Sequence, residues 1–330
     1  MRCKRQIAVW CALVLGCGGI LSGCGSEKNA LLDMRISSQV SYGKDAALNR
    51  TEEYLSRDLC VISKEAQAEK KDSAMTAKAS LMINDTEGKL LYADNIYNRL
   101  YPASITKIVT AYVALKYGNL DDVVTVSYHA SHITEYGAML CGFDQGDRFV
   151  LRDLLNAFLV RSGNDAGIAI AEHISGDEET FAKLMNKEMA AIGAVHSHFV
   201  NSHGLHDKKH YTTAYDLYLI FRRLIQNETF LQIVSQGSYT ARFQGRDGKK
   251  KKLSFLSTDR YLIGRATAPS DVQVVGGKTG TTFDAGSCLI LYSIGPGDKK
   301  YISVVLKAQG GDDLYRQMNH LLAMETKKDG

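Results

Sequence analysis

The sequence predicts a mixed α/β (α+β) fold, in which a mainly antiparallel sheet is flanked by helices and carries an inserted all-helical subdomain. Strand-like segments occur near both ends of the folded part, and helical patterns fill the region between them. Strands from the two ends must pair to bury their apolar side chains, so the helical region is an insertion. The composition, 45% hydrophobic and 23% charged, is ordinary for a globular domain with a sizeable core.

The first elements of this domain are predicted to be a β-hairpin and a long helix. Ala79–Asn84 and Lys89–Ala93 are apolar-rich runs separated by a polar turn, which is typical of a hairpin. The helix is expected from Ile105 to Tyr117, because Pro102 suits its entry and Gly118 suits its end.

The remaining elements follow from the spacing of apolar residues. Helices are expected in the middle of the chain at Leu151–Val160, Ala166–Ile174, Glu178–Ile192 and Asp216–Ile225. The final part is expected to contain strands at Val272–Gly280, Ser287–Ser293 and Tyr301–Leu306, and an amphipathic helix over Asp312–Thr326. These late strands would complete the sheet that the hairpin begins.

The first 23 residues are predicted to be a lipoprotein signal peptide. A basic start, Met1–Arg5, precedes an apolar stretch from Ile7 to Leu21 that is too short for a structural transmembrane helix. Leu21-Ser-Gly-Cys24 resembles the bacterial lipoprotein processing box, which implies a lipid on Cys24. The protein is then expected to be exported and anchored to the outer face of the bacterial cell membrane. An ordinary secretory signal or an uncleaved anchor is the alternative.

Residues 24–76 are polar and charged and are predicted to tether a folded domain at residues 77–328. Of the seven cysteines, only Cys60, Cys141 and Cys288 lie beyond the signal and the lipidation site. They lack metal-ligand spacing and are expected to be buried free thiols. No metal or other cofactor is expected.

The charge distribution does not favour nucleic acid as a partner, because the net charge of +4 is small and dispersed. The densest basic run, Lys249–Lys252, follows Gly245-Arg-Asp-Gly248 and is typical of a solvated turn. A contact with an anionic polymer is the alternative for this run.

Three short motifs carry the chemistry: Ser104-Ile-Thr-Lys107, Ser162-Gly-Asn164 and Lys278-Thr-Gly280. A Ser and a Lys three residues apart share a helix face, so a basic amine can lie beside a hydroxyl. The other two motifs would bring a second Ser/Asn pair and a second Lys to hold the substrate. This set of residues predicts a serine acyltransferase that uses no catalytic His.

Each motif is weak alone. Ser41-Tyr-Gly-Lys44 also matches Ser-x-x-Lys, but it lies in the polar tether and leads into no helix. Ser162 and Asn164 could simply cap helices, and Lys278-Thr-Gly280 could be a plain turn. Their order, and the helix and strand contexts around them, favour one catalytic site.

The flanking segments resemble a known family: the D-alanyl-D-alanine carboxypeptidases among the low-molecular-mass penicillin-binding proteins, which are penicillin-recognising serine enzymes. The resemblance covers about residues 77 to 326 and implies a β-lactamase/transpeptidase-like fold. Besides the motifs themselves, it rests on Tyr101–Lys107, Leu159–Ala166, Asn201–Leu205, Tyr211–Asp216 and Gly277–Thr282.

The resemblance implies Ser104 as the nucleophile, Lys107 as its general base, and Ser162 as the relay that protonates the leaving D-alanine. A lysine base must be largely neutral, and burial together with the cation of Lys278 would lower the pKa of Lys107.

Substrate binding is implied for Asn164 at the peptide amide, and for Lys278, Thr279 and Thr281 at the terminal carboxylate. The backbone N–H groups of Ser104 and Thr281 would form the oxyanion hole. The expected partners are peptidoglycan stem peptides ending in D-Ala-D-Ala, with β-lactams as covalent inhibitors.

The sequence departs from the family pattern in two places. Ser254–Asp271 lacks an Asn-x-Asn-type approach to the third motif, so the groove beside Lys278 is expected to differ. Only fifty residues follow Gly280, so neither an additional all-β domain nor a C-terminal anchor is expected.

Four alternatives remain open. A D,D-endopeptidase of the same family would use the same residues. A class A β-lactamase usually has Ser-Asp-Asn where this chain has Ser162-Gly-Asn164, and a deacylating Glu that is not found here. The histidines between His196 and His210 could suggest a zinc peptidase, but no His-Glu-x-x-His motif occurs. A catalytically silent penicillin-binding sensor is the fourth.

Overall fold

The computed structural model describes residues 72–326 of the chain. The signal peptide, Cys24, the Ser41–Lys44 match and most of the predicted tether lie outside these residues, so those expectations stay predictions. The chain divides into two units, Met1–Glu53 and Tyr54–Gly330, and every structural statement below concerns the second. No helix between residues 72 and 326 is both long and apolar enough to span a membrane.

The described part contains a five-stranded and a four-stranded sheet surrounded by helices. The strands are β1 (Ala79–Asn84), β2 (Lys89–Asp94), β3 (Val123–Thr125), β4 (Arg148–Val150), β5 (Ser238–Gln244), β6 (Lys250–Leu256), β7 (Gln273–Thr282), β8 (Gly286–Ile294) and β9 (Lys300–Ala308). The helices are α1 (Thr106–Tyr117), α2 (Tyr128–Ser131), α3 (Leu151–Arg161), α4 (Asn164–Ser175), α5 (Glu178–Ala191), α6 (Ala214–Leu224), α7 (Glu228–Val234) and α8 (Gly311–Leu322).

The main sheet joins the two ends of the described chain. Its strand order is β2-β1-β9-β8-β7, and every neighbouring pair is antiparallel. Strand β1 pairs with β9 along its whole length, from Ala79 opposite Leu306 to Asn84 opposite Tyr301. The prediction that early and late strands meet is therefore confirmed.

Alternate residues of the central strands enter two cores, one on each face of the main sheet. Leu81 and Ile83 belong to the large core that also contains residues of α1, α3, α4 and α6. Met82 points the other way and joins the core formed with α8, which includes Met318 and Leu321. The result is a sheet covered by helices on both faces, as the predicted fold class requires.

The inserted region differs from the all-helical expectation in one respect, because it also contains the sheet β3-β4-β5-β6. Strands β3 and β4 have three residues each, too few to show a period of two. Strands β5 and β6 bury Ala241, Phe243 and Phe255 on one side and expose polar residues on the other. Helix α7 was also not predicted.

The prediction that the basic run Lys249–Lys252 forms a turn is wrong for most of the run. The turn ends at Lys249, and Lys250, Lys251 and Lys252 form the start of β6. Lysine has a low strand propensity, so the sequence does not indicate a strand here. Pairing with β5 nevertheless places successive lysines on alternate sides of the sheet.

Candidate active site

Ser104 lies in a short 3-10 turn, Ala103–Ile105, that leads directly into α1. Ala103 has φ of 47°, a left-handed conformation that is uncommon for alanine. Glycines in two other segments allow those segments to pack closely against this turn. A Cβ at Gly204 would lie 1.9 Å from the Ala103 carbonyl oxygen, and a Cβ at Gly280 would lie 2.7 Å from that of Pro102.

The amine of Lys107 is the centre of the polar network. Its Nζ lies 3.0 Å from Ser104 Oγ, 2.7 Å from Asn164 Oδ1 and 2.6 Å from the carbonyl oxygen of His203. The two oxygens of Asn164 and His203 can only accept hydrogen bonds. A neutral amine has two N–H donors for these acceptors, which leaves its lone pair directed at the Ser104 hydroxyl. The geometry therefore suits a general base.

The electrostatics favour that neutral form. The side chain of Lys107 is fully buried, and burial together with the nearby cation of Lys278 holds the pKa of its amine well below the usual 10.5. Both causes are the ones expected from the sequence.

The second motif lies at the junction of α3 and α4. Ser162 ends α3 with φ of 68°, and Asn164 begins α4, so the left-handed serine turns the chain sharply between the helices. A Cβ at Gly163 would lie 2.3 Å from Cys141 Sγ and 2.7 Å from Asp165 Oδ1. The middle position of the motif therefore has no space for the aspartate of a Ser-Asp-Asn sequence.

Asp165 was not predicted, yet it secures one wall of the site. Its carboxylate accepts the backbone N–H groups of Cys141 at 2.9 Å and Gly142 at 2.8 Å. The preceding residue, Asn164, donates its own N–H to the Met139 carbonyl at 2.7 Å. These bonds hold the segment around Met139 against the junction of α3 and α4.

The third motif lies on β7, at the edge of the main sheet. A Cβ at Gly280 would also lie 3.0 Å from the backbone nitrogen of Ser104, so β7 passes directly against the nucleophile turn. The next residue, Thr281, lines the same cleft as Ser104.

Lys278 is a residue of β7, and its side chain is buried. Its amine bonds to neighbouring groups of the groove. Its Nζ donates to the Thr279 carbonyl at 3.0 Å and lies 3.5 Å from Thr258 Oγ1, which is 2.5 Å from Thr279 Oγ1. Burial lowers the pKa of Lys278 to about 7, although the carboxyl of Asp259 acts in the opposite direction.

Thr258 and Asp259 are not predicted from the sequence, in which Ser254–Asp271 is marked only by its departure from the family pattern. Asp259 is 2% exposed, and burial raises the pKa of its carboxyl to about 6. One carboxyl oxygen accepts from the Tyr261 N–H and the Tyr315 hydroxyl, while the other has no partner among the described residues. This segment thus brings a hydroxyl and a carboxyl to the groove beside Lys278, rather than the Asn-x-Asn-type residues of the family pattern.

The motifs open onto one cleft of about 300 Å³. Five of the seven predicted site residues line it, and the two lysines lie buried behind its walls. The lining residues are Ser104, Gly137, Met139, Ser162, Asn164, Gly204, Leu205, Thr258, Arg260, Thr279, Gly280, Thr281, Thr282, Ser287, Gly311, Leu314 and Tyr315.

The histidines considered as zinc ligands bond to different groups. His210 lies 2.7 Å from Thr106 Oγ1, whereas His206 stacks edge-on against Tyr101. Between residues 72 and 326, no three His, Cys, Asp or Glu side chains converge as a metal site would require.

Glu178 supports the loop that supplies the His203 carbonyl, and no sequence motif indicates this role. Burial alone would raise the pKa of Glu178, but contacts with His203 and Ser202 lower it to about 2. Its carboxylate accepts from the Ser202 N–H at 3.2 Å and the Ser202 hydroxyl at 2.6 Å. The loop is thereby fixed where it can orient Lys107.

A family model described as D-alanyl-D-alanine carboxypeptidase, peptidase family S11, matches residues 64–310, well over half of the chain. The chain belongs to the D-alanyl-D-alanine carboxypeptidase family. The match includes all seven predicted site residues, so the resemblance inferred from the motifs is confirmed.

Curated relatives of this carboxypeptidase family agree with the match. The chain is 33% identical over 254 residues to the D-alanyl-D-alanine carboxypeptidase DacF of Bacillus subtilis (strain 168), covering 76% of this chain and 62% of the relative. It is 32% identical over 257 residues to DacC of Escherichia coli (strain K12), covering 76% of this chain and 61% of the relative. The chain thus spans about three fifths of these relatives' length.

Solved structures of the family confirm the predicted β-lactamase/transpeptidase-like fold. The crystal structure of the Streptomyces K15 DD-transpeptidase has a TM-score of 0.71 at 26% identity, covering 78% of this chain and 98% of that one. DacD from Francisella tularensis has a TM-score of 0.66 at 26% identity, covering 77% and 73%.

Proposed function

We propose that the chain is a serine D-alanyl-D-alanine carboxypeptidase, which removes the terminal D-alanine from peptidoglycan stem pentapeptides. The arrangement of Lys107 carries this proposal, because its buried amine has two fixed acceptors and lies 3.0 Å from Ser104 Oγ, so that a neutral amine would keep its lone pair for the Ser104 hydroxyl. Membership of the family supports the substrate class.

In the proposed acylation step, Ser104 Oγ attacks the carbonyl carbon between the two terminal D-alanines. Lys107 takes the hydroxyl proton as the new C–O bond forms, and the N–H groups of Ser104 and Thr281 stabilise the oxyanion. Collapse breaks the C–N bond, and the proton passes through Ser162 to the leaving amine. Water then hydrolyses the acyl-enzyme, and Lys107 again removes the proton from the attacking oxygen.

Substrate binding would use the free edge of β7, since this strand is the last of the main sheet and lines the cleft. An extended stem peptide can add to such an edge as a further strand. Lys278, Thr279 and Thr281 would bind the terminal carboxylate. Asn164 Oδ1 accepts from Lys107, which leaves its Nδ2 to donate to the substrate amide.

The same groups would make the protein a target of β-lactams, whose strained amide and carboxylate present the reacting features of D-Ala-D-Ala. We also propose that the domain is exported and held at the outer face of the cell membrane by lipid on Cys24. The Leu21-Ser-Gly-Cys24 sequence supports this location.

The function is tested by analysing the products formed from a stem pentapeptide and from a cross-linked peptide dimer. The wild-type chain is expected to release D-alanine from the pentapeptide, and Ser104→Ala to release none. Cleavage of the dimer alone would instead indicate a D,D-endopeptidase. Covalent penicillin labelling without any product would indicate a silent sensor, and activity that a chelator abolishes would indicate a zinc peptidase.

A β-lactamase is disfavoured by the second motif, since Gly163 leaves no space for an aspartate between Ser162 and Asn164. We expect nitrocefin to acylate the protein stoichiometrically and to be turned over only slowly. Rapid multiple turnover by purified wild-type protein would contradict this expectation.

A further inference from the structure

One side of the small sheet β3-β4-β5-β6 is exposed and strongly basic. Residues opposite each other in the strand register share a side, and Arg148 is opposite Gln244, Gln244 opposite Lys250, and Arg242 opposite Lys252. The surface called the basic face below consists of Arg148, Arg242, Lys250 and Lys252, with Val150 and Leu256 at its margins. The other strand residues on this side are Val, Ser, Thr or Gln, and none is acidic.

These four cations lack counterions among the residues that the structure describes. Each is exposed, and within residues 72–326 none of them forms an ion pair. Arg242 and Lys252 are like charges directly opposite each other, an arrangement that destabilises a sheet in the absence of an anion.

The acidic groups nearby are already engaged. Lys251 points to the other side of β6, where it bonds to Asp144 at 2.8 Å and Asp147 at 2.9 Å. In the adjoining turn, Asp247 pairs with Lys249 at 3.1 Å. Lys249 and Lys251, which flank the basic face, are thus paired, whereas the four cations on the face form no ion pair within residues 72–326.

The shape of the basic face is set by the core behind it. The opposite side of the sheet buries Phe149, Phe243 and Phe255, and the rings of Phe149 and Phe243 stack at 4.2 Å. The cations therefore stand on a sheet whose other side is packed against the core, and the exposed aliphatic side chains of Val150 (38%) and Leu256 (59%) belong to the same side of the sheet as the cations.

Protection of a sheet edge does not account for this pattern. Strand β6 is an edge strand, where lysines commonly prevent association with other chains. Arg148 and Arg242, however, belong to β4 and β5, which have a neighbouring strand on either side in the sheet order, although β4 and β5 pair only at Arg148 and Gln244. Lysines that protect the β6 edge therefore explain only part of the pattern.

We propose that the basic face binds an anionic phospholipid surface. A group of exposed cations on one side of a sheet, without ion-pair partners among residues 72–326, is complementary to a layer of negative headgroups, and each cation near such a surface strengthens binding about 5-fold. The aliphatic margins favour a bilayer over a fully polar polyanion, because they can enter the boundary between headgroups and acyl chains.

Such docking would fix the position of the cleft relative to the membrane. Strand β6 leads through Ser257 to Thr258, which lines the cleft, so Lys252 lies about 20 Å or less from it along the chain. The proposal depends neither on lipid at Cys24 nor on the catalytic roles, since it rests on the basic face alone.

The test uses the full chain with a single tryptophan as a contact reporter. Trp10 is the only tryptophan, so Trp10→Phe combined with Leu256→Trp places the reporter on the basic face. Its fluorescence is measured with vesicles of brominated phosphatidylglycerol or brominated phosphatidylcholine. The matched reporter is Val195→Trp in the same background, because Val195 is 62% exposed and lies outside the small sheet.

Bromine is expected to quench the reporter at 256 in phosphatidylglycerol vesicles at low salt, but not in phosphatidylcholine or at 0.5 M salt. Adding Arg242→Gln and Lys252→Gln should raise the half-saturating lipid concentration about 30-fold. The charge-matched pair Lys187→Gln and Arg223→Gln should change it less than about 2-fold.

Two further readouts separate this proposal from a structural effect and from the proposed function. The Arg242→Gln/Lys252→Gln chain should melt at the same or a higher temperature, since a like-charge pair is removed, and should be labelled by penicillin as the wild type is. The proposal is overturned by equal quenching in both lipids, or by binding that the face variants leave unchanged. A response to soluble polyphosphate but not to vesicles would overturn it in favour of an anionic polymer.

Discussion

At the scale of single residues, the chemistry depends on two lysines that burial affects in the same direction but that need opposite charge states. Lys107 acts as a base only when neutral, whereas Lys278 binds a carboxylate only when protonated. Burial and the cation of Lys278 lower the pKa of Lys107, and burial lowers the pKa of Lys278 to about 7. The carboxylate of Asp259 raises the pKa of Lys278 and so favours its charged form, which gives Asp259 a role that acts through Lys278.

The pH profile tests that role. With the wild type, kcat/KM for a pentapeptide should rise as Lys107 deprotonates and fall as Lys278 loses its proton near pH 7. The carboxylate of Asp259 raises the pKa of Lys278, so Asp259→Asn should move the descending limb to lower pH.

Asp271→Asn, at an exposed position of the same segment, is the matched control and should leave both limbs in place. A descending limb that does not move in Asp259→Asn would show that this carboxyl does not act on Lys278.

At the scale of elements, the site is assembled where three pieces of backbone meet: the nucleophile turn, the junction of α3 and α4, and the edge strand β7. Glycines allow these contacts, since a Cβ at Gly163, Gly204 or Gly280 would lie less than 3 Å from a neighbouring atom. The elements rather than the side chains alone therefore set the distances on which acylation depends.

Gly280→Ala should separate β7 from the nucleophile turn. Its Cβ would lie 2.7 Å from the Pro102 carbonyl oxygen, so strand and turn must move apart by a few tenths of an ångström or more. We expect the rate of acylation by a fluorescent penicillin to fall about 100-fold, because small misplacements of reacting groups are costly.

The control for this change is Gly310→Ala, where an added Cβ meets nothing within 4 Å. Both variants should remain folded by circular dichroism, and Gly310→Ala should be acylated at the wild-type rate. Unchanged acylation of folded Gly280→Ala would mean that the contact between β7 and the turn does not control the reaction.

At the scale of the whole molecule, a buried carboxyl near the C-terminal end of the described chain bonds to the sheet that joins its two ends. Glu325 is 5% exposed; one carboxyl oxygen accepts from Ser293 Oγ at 2.6 Å, and the other has no partner in the described part. Burial raises the pKa of this carboxyl from 4.5 to about 7.

This burial makes stability depend on pH. The folded state holds the Glu325 proton up to about pH 7 and the unfolded state only to about 4.5, so stability is lost as the pH rises through this window. The loss amounts to at most about 3 kcal/mol. Glu325→Gln avoids it, so the melting temperature of this variant relative to wild type should be several degrees higher at pH 8 than at pH 5. The exposed Glu135→Gln should show no such change, and an equal difference at both pH values would contradict the assignment.

The sequence allowed much of this architecture to be predicted, because the motifs and the main strands are local patterns. Ser104-x-x-Lys107 follows from helix geometry, and the long elements were predicted to within a few residues of their observed bounds. The small sheet was not predicted, since β3 and β4 are too short to show a period and the lysines of β6 concealed its alternation.

The missed parts of the site share one cause: they act through atoms that are distant in sequence or belong to the backbone. The His203 carbonyl reaches Lys107 across 96 residues, and Glu178 acts only by holding the loop that carries this carbonyl. Asp259 lies where no familiar motif occurs. Such contacts are decided by tertiary packing, which a linear pattern does not contain.

Locating a penicillin adduct is the most direct test of whether Ser104 is the nucleophile that Lys107 activates. The full chain is incubated with a fluorescent penicillin, digested, and analysed by mass spectrometry, with Ser104→Ala and Ser41→Ala as paired variants. One adduct is expected, on Ser104, which is lost in Ser104→Ala and retained in Ser41→Ala. An adduct on any other residue, or none on correctly folded wild-type protein, would contradict this expectation.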